Sequence, residues 1–395
     1  MKCWILGVGF SVLAVSTVAL ADPIADDGGS GVPEVLKEQQ QVEPPTFGAN
    51  WLFRNDSEFR AAGITEMGGI YGTVQSAGAT QPYFLAAGSQ SLEALPMPDA
   101  AYLEEIRKVR DGAGVRRALL NTSRGQFVTE GSQIAAVPPP PSGHRLYEFD
   151  DINSWGILIG TGTNLSTGAT TPMVAIGGRT FRFIDLLDRS VPQPNVQYSM
   201  ALRINDANQL LLQAFQGNRA TLALATPTAT GFRVEILPID LLNPMPVSGF
   251  LLNNAGEVAM TRTISENMFE HRVVHFVWSP VDGIRTAQLE TDTPFGPARI
   301  VGFSDGGEVL LSIRELEYEV DYRFVHFNSR TGAVADIQEA IQLDVASDVI
   351  ALTQTHSTIG TYRLGNAMNG KGMMVITGRS ENRSEDPVLV QPIRK

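Results

Sequence analysis

Only one cysteine occurs in the 395 residues, Cys3, and it lies in the first apolar run, so the body of the chain can form no internal disulfide. A fold without disulfide staples has to be held by burial alone, which calls for a sizeable core. Histidine is scarce as well. His144, His271, His275, His326 and His356 are the whole set, and none of them falls in a zinc-binding spacing. There is no Gly-x-Ser-x-Gly nucleophile elbow, no glycine loop leading into a helix to cradle phosphate, and no Asp-x-Asp-x-Asp calcium loop. Basic residues are outnumbered, 30 Lys and Arg against 42 Asp and Glu for a net charge of −12, which argues against nucleic acid and anionic lipid as partners. Beyond the first twenty residues no apolar run is long enough to span a bilayer as a helix.

The N-terminal residues do carry a pattern. Lys2 precedes an apolar run from Cys3 to Leu20, and Ala19-Leu20-Ala21 stands just before Asp22. This predicts a secretory signal peptide over 1–21, cleaved after Ala21. No basic stop-transfer cluster follows, and Cys3 is not at the cleavage point, so neither a membrane span nor a lipid anchor is expected in the mature chain. Removal of Lys2 takes the net charge from −12 to −13. An exported chain without disulfides suits the bacterial periplasm or exterior. Residues 22–45, rich in Asp, Gly, Gln, Glu and Pro, read as a disordered linker. Residues 46–395 read as a single β-repeat domain, with 43% hydrophobic residues in the whole chain to supply its core.

A local pattern recurs through that domain: an apolar pair, Asn or a small polar residue, two further residues, Gly, and then a β-prone apolar run. Clear copies place Asn153 with Gly156, Asn253 with Gly256, and Ser304 with Gly307. Asn205 with Asn208 is a fourth, with Asn taking the glycine position because it tolerates a left-handed backbone next best. Weaker copies place Asn369 with Gly372, and anchor residues at Gly125 and Gly68. The anchors 68, 125, 156, 208, 256, 307 and 372 are separated by 57, 31, 52, 48, 51 and 65 residues, the 31 being irregular. Each copy reads as a tight turn between two strands, in which Asn, Ser or Asp caps its own backbone and Gly supplies a positive φ. Two more apolar runs follow each turn, giving three strands per unit and a fourth in the connection. A sheet with two apolar faces cannot cover itself, so successive units must stack. The expected fold is therefore all-β, a propeller-like ring of about seven units, each a three- to four-stranded antiparallel sheet. A strand from Phe47 to Phe59 could close the ring by completing the last unit. One short helical insertion is expected at Asp99–Arg117, where Tyr102, Leu103, Ile106 and Val109 lie near helical spacing; its Arg107, Lys108, Arg110, Arg116 and Arg117 would form a solvated basic face, the alternative being a dedicated anion site.

The Asn-x-x-Gly turn before an apolar strand resembles the repeats of a class of exported bacterial tandem-repeat proteins related in style to the HAF repeats. The resemblance covers roughly residues 60 to 392 and rests on the turn alone. Met260 and Leu311 stand where those repeats end their strand with an aromatic. The resemblance implies a propeller or related β-repeat fold, and it supplies no catalytic residues.

Three features are candidates for chemistry. His275 and His326 sit in the similar settings Val274-His275-Phe276 and Val325-His326-Phe327, so both are expected at equivalent depth in successive units, filling a repeat position or binding a ligand together. Glu315, Glu317, Glu319 and Asp321 alternate with Leu316, Tyr318, Val320 and Tyr322, which puts four carboxylates on one strand face, either a solvated outer face or an attraction for a cation or basic partner. Asp150, Asp151 and Asp305 lie at turns where a calcium ion could be held, although capping the turn is the usual role of such residues. No catalytic residue, metal site or organic cofactor is assigned. The functional expectation is an exported, monomeric, non-catalytic binding scaffold whose partner is an envelope or extracellular protein or a glycan. The alternative is a polysaccharide- or ester-cleaving enzyme with its site at the mouth of the central channel.

Overall fold

The computed structural model describes residues 45–52, 59–76, 79–112, 114–239, 249–265, 271–288, 299–314, 322–340, 351–353, 367–380 and 383–393. The expected signal peptide, and the linker up to residue 44, lie outside the described residues, and so does the acidic run Glu315, Glu317, Glu319 and Asp321.

Every repeat turn but one follows the strand nearest the axis of a four-stranded antiparallel sheet, and seven such sheets form a β-propeller. In blades 1 to 6 the strands follow sequence order. Their inner strands are Phe59–Ile64, Leu103–Gly112, His144–Ile152, Gln197–Ile204, Leu251–Leu252 and Arg299–Phe303. These are the fourth strands expected in the connections. Blade 7 runs Ala351–Thr353, Met374–Ser380 and Arg383–Pro392 and ends in Phe47–Trp51. That last strand pairs antiparallel from Phe47 with Pro392 to Trp51 with Val388, so the ring closes as the sequence led one to expect, over a shorter stretch than Phe47–Phe59.

Stacking explains why the runs after the turns are continuously apolar instead of alternating. Leu210, Leu211 and Leu212 are all buried, as are Val258, Ala259 and Met260, and Val309, Leu310 and Leu311. Both faces of a blade press on neighbours. Leu210 and Leu212 belong to a cluster with Ile159, Val174 and Phe183 of the preceding blade, while Leu211 packs with Val258 and Trp278 of the next.

Inner strands follow another rhythm. Register shifts interrupt the pairing of five of them with their neighbours, including Leu103/Glu105 and Ile106/Lys108 in blade 2, Leu146/Glu148 and Phe149/Asp151 in blade 3, and Tyr198/Met200 and Ala201/Arg203 in blade 4. Each bulge inserts one residue, so buried side chains recur every third position: Leu103, Ile106 and Val109, or Tyr198, Ala201 and Ile204. The helix expected at Asp99–Arg117 is this effect. The stretch forms a hairpin, Leu103–Gly112 with Val115–Thr122, whose bulges imitate a helical period. Helix occurs among the described residues only as a 3-10 turn at Phe183–Leu186 and as Ile337–Ala340. The hairpin also corrects the repeat: the first turn of blade 2 ends at Gly114 and not at Gly125, which ends its second turn. With Gly114 the spacings become 46 and 42 residues, and the irregular 31 disappears.

The bulges bring backbone close to backbone. A Cβ on Gly160 would lie 2.1 Å from the Glu148 carbonyl oxygen, and nothing but glycine fits beside that bulge. Gly160→Ala should therefore lower the unfolding free energy by about 2–3 kcal/mol, measured by urea denaturation, because the neighbour that must yield is main chain. An effect within about 0.5 kcal/mol, as for an ordinary surface change, would contradict this geometry.

Candidate functional site at the axis of the ring

The repeat turns meet around the axis, where they join the blades. At the first turn position the side-chain amide donates to the carbonyl at the same position of the next blade: Asn153 to Asn205 at 3.2 Å, Asn205 to Asn253 at 2.8 Å, Asn253 to Ser304 at 2.9 Å and Asn369 to Thr65 at 3.0 Å. The same residues hold their own turns. Asn205 Oδ1 accepts from the Gln209 amide at 2.8 Å, and Ser304 Oγ accepts from Glu308 at 3.1 Å. At the second position the backbone amide donates to the side chain of the next blade: Ser154 to Asp206 at 2.8 Å, Asp206 to Asn254 at 2.9 Å, Asn254 to Asp305 at 2.7 Å and Gly370 to Glu66 at 2.7 Å. The Asp305 amide donates to the Gly370 carbonyl at 3.0 Å. Blade 1 reaches blade 2 through Thr65 Oγ1 and Asp111 at 2.5 Å, and blade 2 reaches blade 3 through Arg110 Nε to the Ile152 carbonyl at 3.1 Å. Every one of the seven seams is thus bridged near the axis. The left-handed turn ends behave as the sequence indicated, with φ near 80° at Gly156, Gly256, Gly307 and Gly372 and 61° at Asn208.

Below the turns lies a cavity of about 50 Å³, lined by all seven blades and large enough for a few water molecules. Its charged wall comprises Glu66, Arg107, Lys108, Arg110, Asp150, Asp151, Arg203 and Asp305. The bulges aim two of these inward, since Arg107 and Asp150 are the extra residues between Ile106 and Lys108 and between Phe149 and Asp151. The groups pair with one another. Arg107, only 6% exposed, meets Glu105 at 2.8 Å, Glu148, and Asp150 at 3.7 Å, while Arg110 meets Glu66 at 3.3 Å. Asp151 accepts from the amides of Ile152 at 2.9 Å and Ile204 at 3.3 Å.

Burial, reinforced by the Arg110 charge, pulls the Lys108 amine down to about 7, and burial beside Glu148 pushes the Asp150 carboxyl up to about 7. The two titrations act in opposite senses. From about pH 4 to 7 the folded chain holds a proton on Asp150 that the unfolded chain has lost, so stability falls as pH rises. From pH 7 to about 10 the unfolded chain holds a proton on Lys108 that the folded chain lacks, so stability rises. Lys108→Met should erase that alkaline rise in urea unfolding at constant ionic strength; equal slopes in wild type and variant would contradict the assignment.

The basic cluster is therefore no solvated helix face. Arg107 and Arg110 are buried at the axis, Arg117 bonds the Ser154 carbonyl at 2.5 Å, and Arg116 pairs with Glu93 at 2.8 Å with its guanidinium 3.6 Å over the Phe84 ring. Sequence reasoning missed these residues as channel groups because the bulges that turn them inward leave no mark beyond the false helical spacing.

The histidines are not at the channel. Trp278 faces Val258 and Phe327 faces Val309, two residues past the turn glycine in each blade, so His326 corresponds to Val277 and His275 to Phe324. The two are offset by two residues and not equivalent. Both are buried. His275 faces Thr261 Oγ1 at 3.0 Å, and burial lowers its titration to about 4, which keeps it neutral. His326 packs edge-on against Phe47 of the closing strand, ring centres 5.1 Å apart, with Glu308 at 3.7 Å. Neither lines the axial cavity. Among the described residues no group of three or more His, Cys, Asp or Glu is placed to hold a metal ion.

No family model matches the chain, and no curated protein matches it. Among solved structures it is similar to "YCF48 bound to D1 peptide" at 9% identity and TM-score 0.44, covering 90% of this chain and 97% of that one. It is similar to YCF48 from Cyanidioschyzon merolae at 11% and 0.41, covering 87% and 99%. A puromycin-hydrolyzing peptidase of Mycobacterium tuberculosis follows at 12% and 0.42, covering 89% of this chain and 56% of that one, so the chain spans little more than half of the peptidase. The seven-bladed architecture rests on the sheets themselves, not on these likenesses.

Proposed function

We propose that this chain is an exported, non-catalytic binding scaffold of the bacterial envelope or exterior, akin to the Asn-x-x-Gly tandem-repeat class, whose partner is a protein or glycan held on the faces of the ring. One observation supports the reading above others. The polar groups that converge on the axis are bonded across all seven seams, and the cavity left between them, about 50 Å³, admits water but not a sugar ring or an acyl chain. Recognition then falls to the faces and their loops. Two measurements test this. Fractionation of cells making the full chain, with N-terminal sequencing, should find the mature protein outside the cytoplasm beginning at Asp22. Thermal unfolding with calcium, a chelator, envelope glycans and peptides should show a raised midpoint for at least one ligand, unaltered after incubation. Cytoplasmic retention, or turnover of the ligand, would overturn the proposal.

The hydrolytic alternative has one observation in its favour: Asp150 and Lys108 both titrate near neutrality in the same cavity, as acid–base groups often do. Its test is cleavage of polysaccharide or ester substrates by wild type and loss of that cleavage in Asp150→Asn.

A further inference from the structure

The face of the ring that carries the repeat turns has two exposed apolar side chains near its centre. Met67, at the third turn position of blade 1, is 63% exposed, and Trp155, at the same position of blade 3, is 60% exposed. Blades 4 to 7 have Ala207, Ala255, Gly306 and Lys371 there. Blade 2 lies between the two and has a shorter turn: residues 113–114 separate the paired Gly112 and Val115, whereas 65–69 separate Ile64 from Ile70 and 153–157 separate Ile152 from Leu158. Both long turns touch the short one. The Met67 amide donates to Asp111 Oδ1 at 3.2 Å, and a Cβ on Gly112 would run into the Ser154 side chain. Met67 and Trp155 therefore stand on the two sides of Asp111 and Gly112.

Trp155 is fixed although it is exposed. Its Nε1 donates to the Asp206 carbonyl of blade 4 at 2.9 Å, and the neighbouring Ser154 amide donates to the Asp206 carboxylate at 2.8 Å. The polar group of the indole is thus satisfied within the protein, and what the ring offers to solvent is π surface held in one orientation. A tryptophan ordered in advance loses little entropy when a partner covers it.

The charges around it are of one sign with a single exception. The second and third turn positions carry Glu66, Asp206 and Asp305, joined by Asp111 of blade 2, against Lys371 alone. The arginines nearby are paired, Arg117 with Glu130, Arg116 with Glu93 and Arg110 with Glu66. Asp111 and Asp206 are both partly exposed, and neither is in an ion pair among the described residues; their oxygens accept from the Thr65 hydroxyl and the Met67 amide, and from the Ser154 amide.

We propose that this face docks a basic segment of a partner protein, with an arginine or lysine side chain of that segment stacked on the Trp155 indole and paired with Asp206 or Asp111. Charge selects this occupant. A tryptophan face attracts a cation, the carboxylates of the blades before and after Trp155 supply the counter-charge, and a chain of net charge −12 draws a basic partner and repels an acidic one. Guanidinium suits the site better than ammonium, because it is planar, stacks on the ring and bonds a carboxylate through two N–H groups. The proposal rests on the scaffold reading and narrows its partner from protein or glycan to protein.

The test uses the full-length mature protein and fluorescence polarisation with short, labelled, capped peptides that alternate alanine with arginine, lysine or glutamate, and with cellobiose as a competitor. The arginine peptide should bind more tightly than the lysine peptide, and the glutamate peptide should not bind. Trp155→Ala should weaken the arginine peptide about tenfold. Met67→Lys, which sets a like charge beside the site at an exposed position, should weaken it by a similar factor with the thermal midpoint unchanged, so the site is tested even where the tryptophan variant folds less well. Binding that neither variant alters would be general attraction to an acidic protein and would overturn the site. No binding of the arginine peptide at millimolar concentration, or its displacement by cellobiose, would overturn the partner class. Export and the absence of ligand turnover are read by separate experiments, so either failure leaves the scaffold reading standing.

Discussion

Asn253→Asp should destabilise this protein more than Asn253→Ala, although Asp is an ordinary turn residue. The Asn253 side chain is buried; its amide donates to the Ser304 carbonyl at 2.9 Å and to Glu257 at 2.8 Å, and its oxygen accepts from the Glu257 backbone at 2.8 Å. Alanine removes all three bonds and leaves buried groups unsatisfied, a loss of about 3 kcal/mol. Aspartate keeps the acceptor but sets a second carboxylate against Glu257 and a carbonyl at a buried position. The deficit of the Asp variant should shrink as pH falls, because two carboxyls at hydrogen-bond distance share one proton readily, whereas the Ala deficit should not move. Urea denaturation at pH 5 and 8 reads both. An Asp variant as stable as wild type at pH 8 would mean that the amide does not join blade 5 to blade 6.

The second large effect lies at the closure. Phe47 is 1% exposed and packs with Val301, Leu310, Phe324, Met374 and Val390, residues of blades 6 and 7. Phe47→Ala should cost about 3–5 kcal/mol, the range for emptying a buried aromatic site. The kinetics should be lopsided. The strand Phe47–Trp51 pairs with Arg383–Pro392 across nearly the whole chain, so that contact forms late, and its loss should speed unfolding and leave the folding rate near the wild-type value. A change confined to the folding limb of the chevron would place the closing strand in the nucleus instead.

Both effects fall on features that sequence exposes to different degrees. Asn205, Asn253 and Asn369 were readable as turn caps because the cap is local: the side chain bonds amides two to four residues on. Their second bond, to the neighbouring blade about fifty residues away, leaves no local trace. Closure by an N-terminal strand followed from counting strands in the last unit. Blade 2 was misread for a physical reason: it keeps neither the Asn nor the length of the common turn, having Asp111 and a tight hairpin at Gly112 and Val115, and its bulges convert the two-residue period of a strand into spacings of three. The charged cavity was hidden with it, since Arg107 and Asp150 face the axis only because of those bulges. The equivalence of His275 and His326 failed because similar tripeptides can sit two positions apart along matching strands, and only the ladder fixes that offset.

The central claim is that the polar groups around the axis are engaged in joining blades and are not held free for a substrate. A double-mutant cycle on Asn254→Ala and Asp305→Ala addresses it directly, because these side chains meet across the seam of blades 5 and 6 at 3.2 Å and both line the axial cavity. The account predicts that the double variant is more stable than additivity allows, by a coupling of about 1–2 kcal/mol in unfolding free energy. Additive effects within about 0.5 kcal/mol would contradict it, leaving these groups uncoupled and available for a ligand.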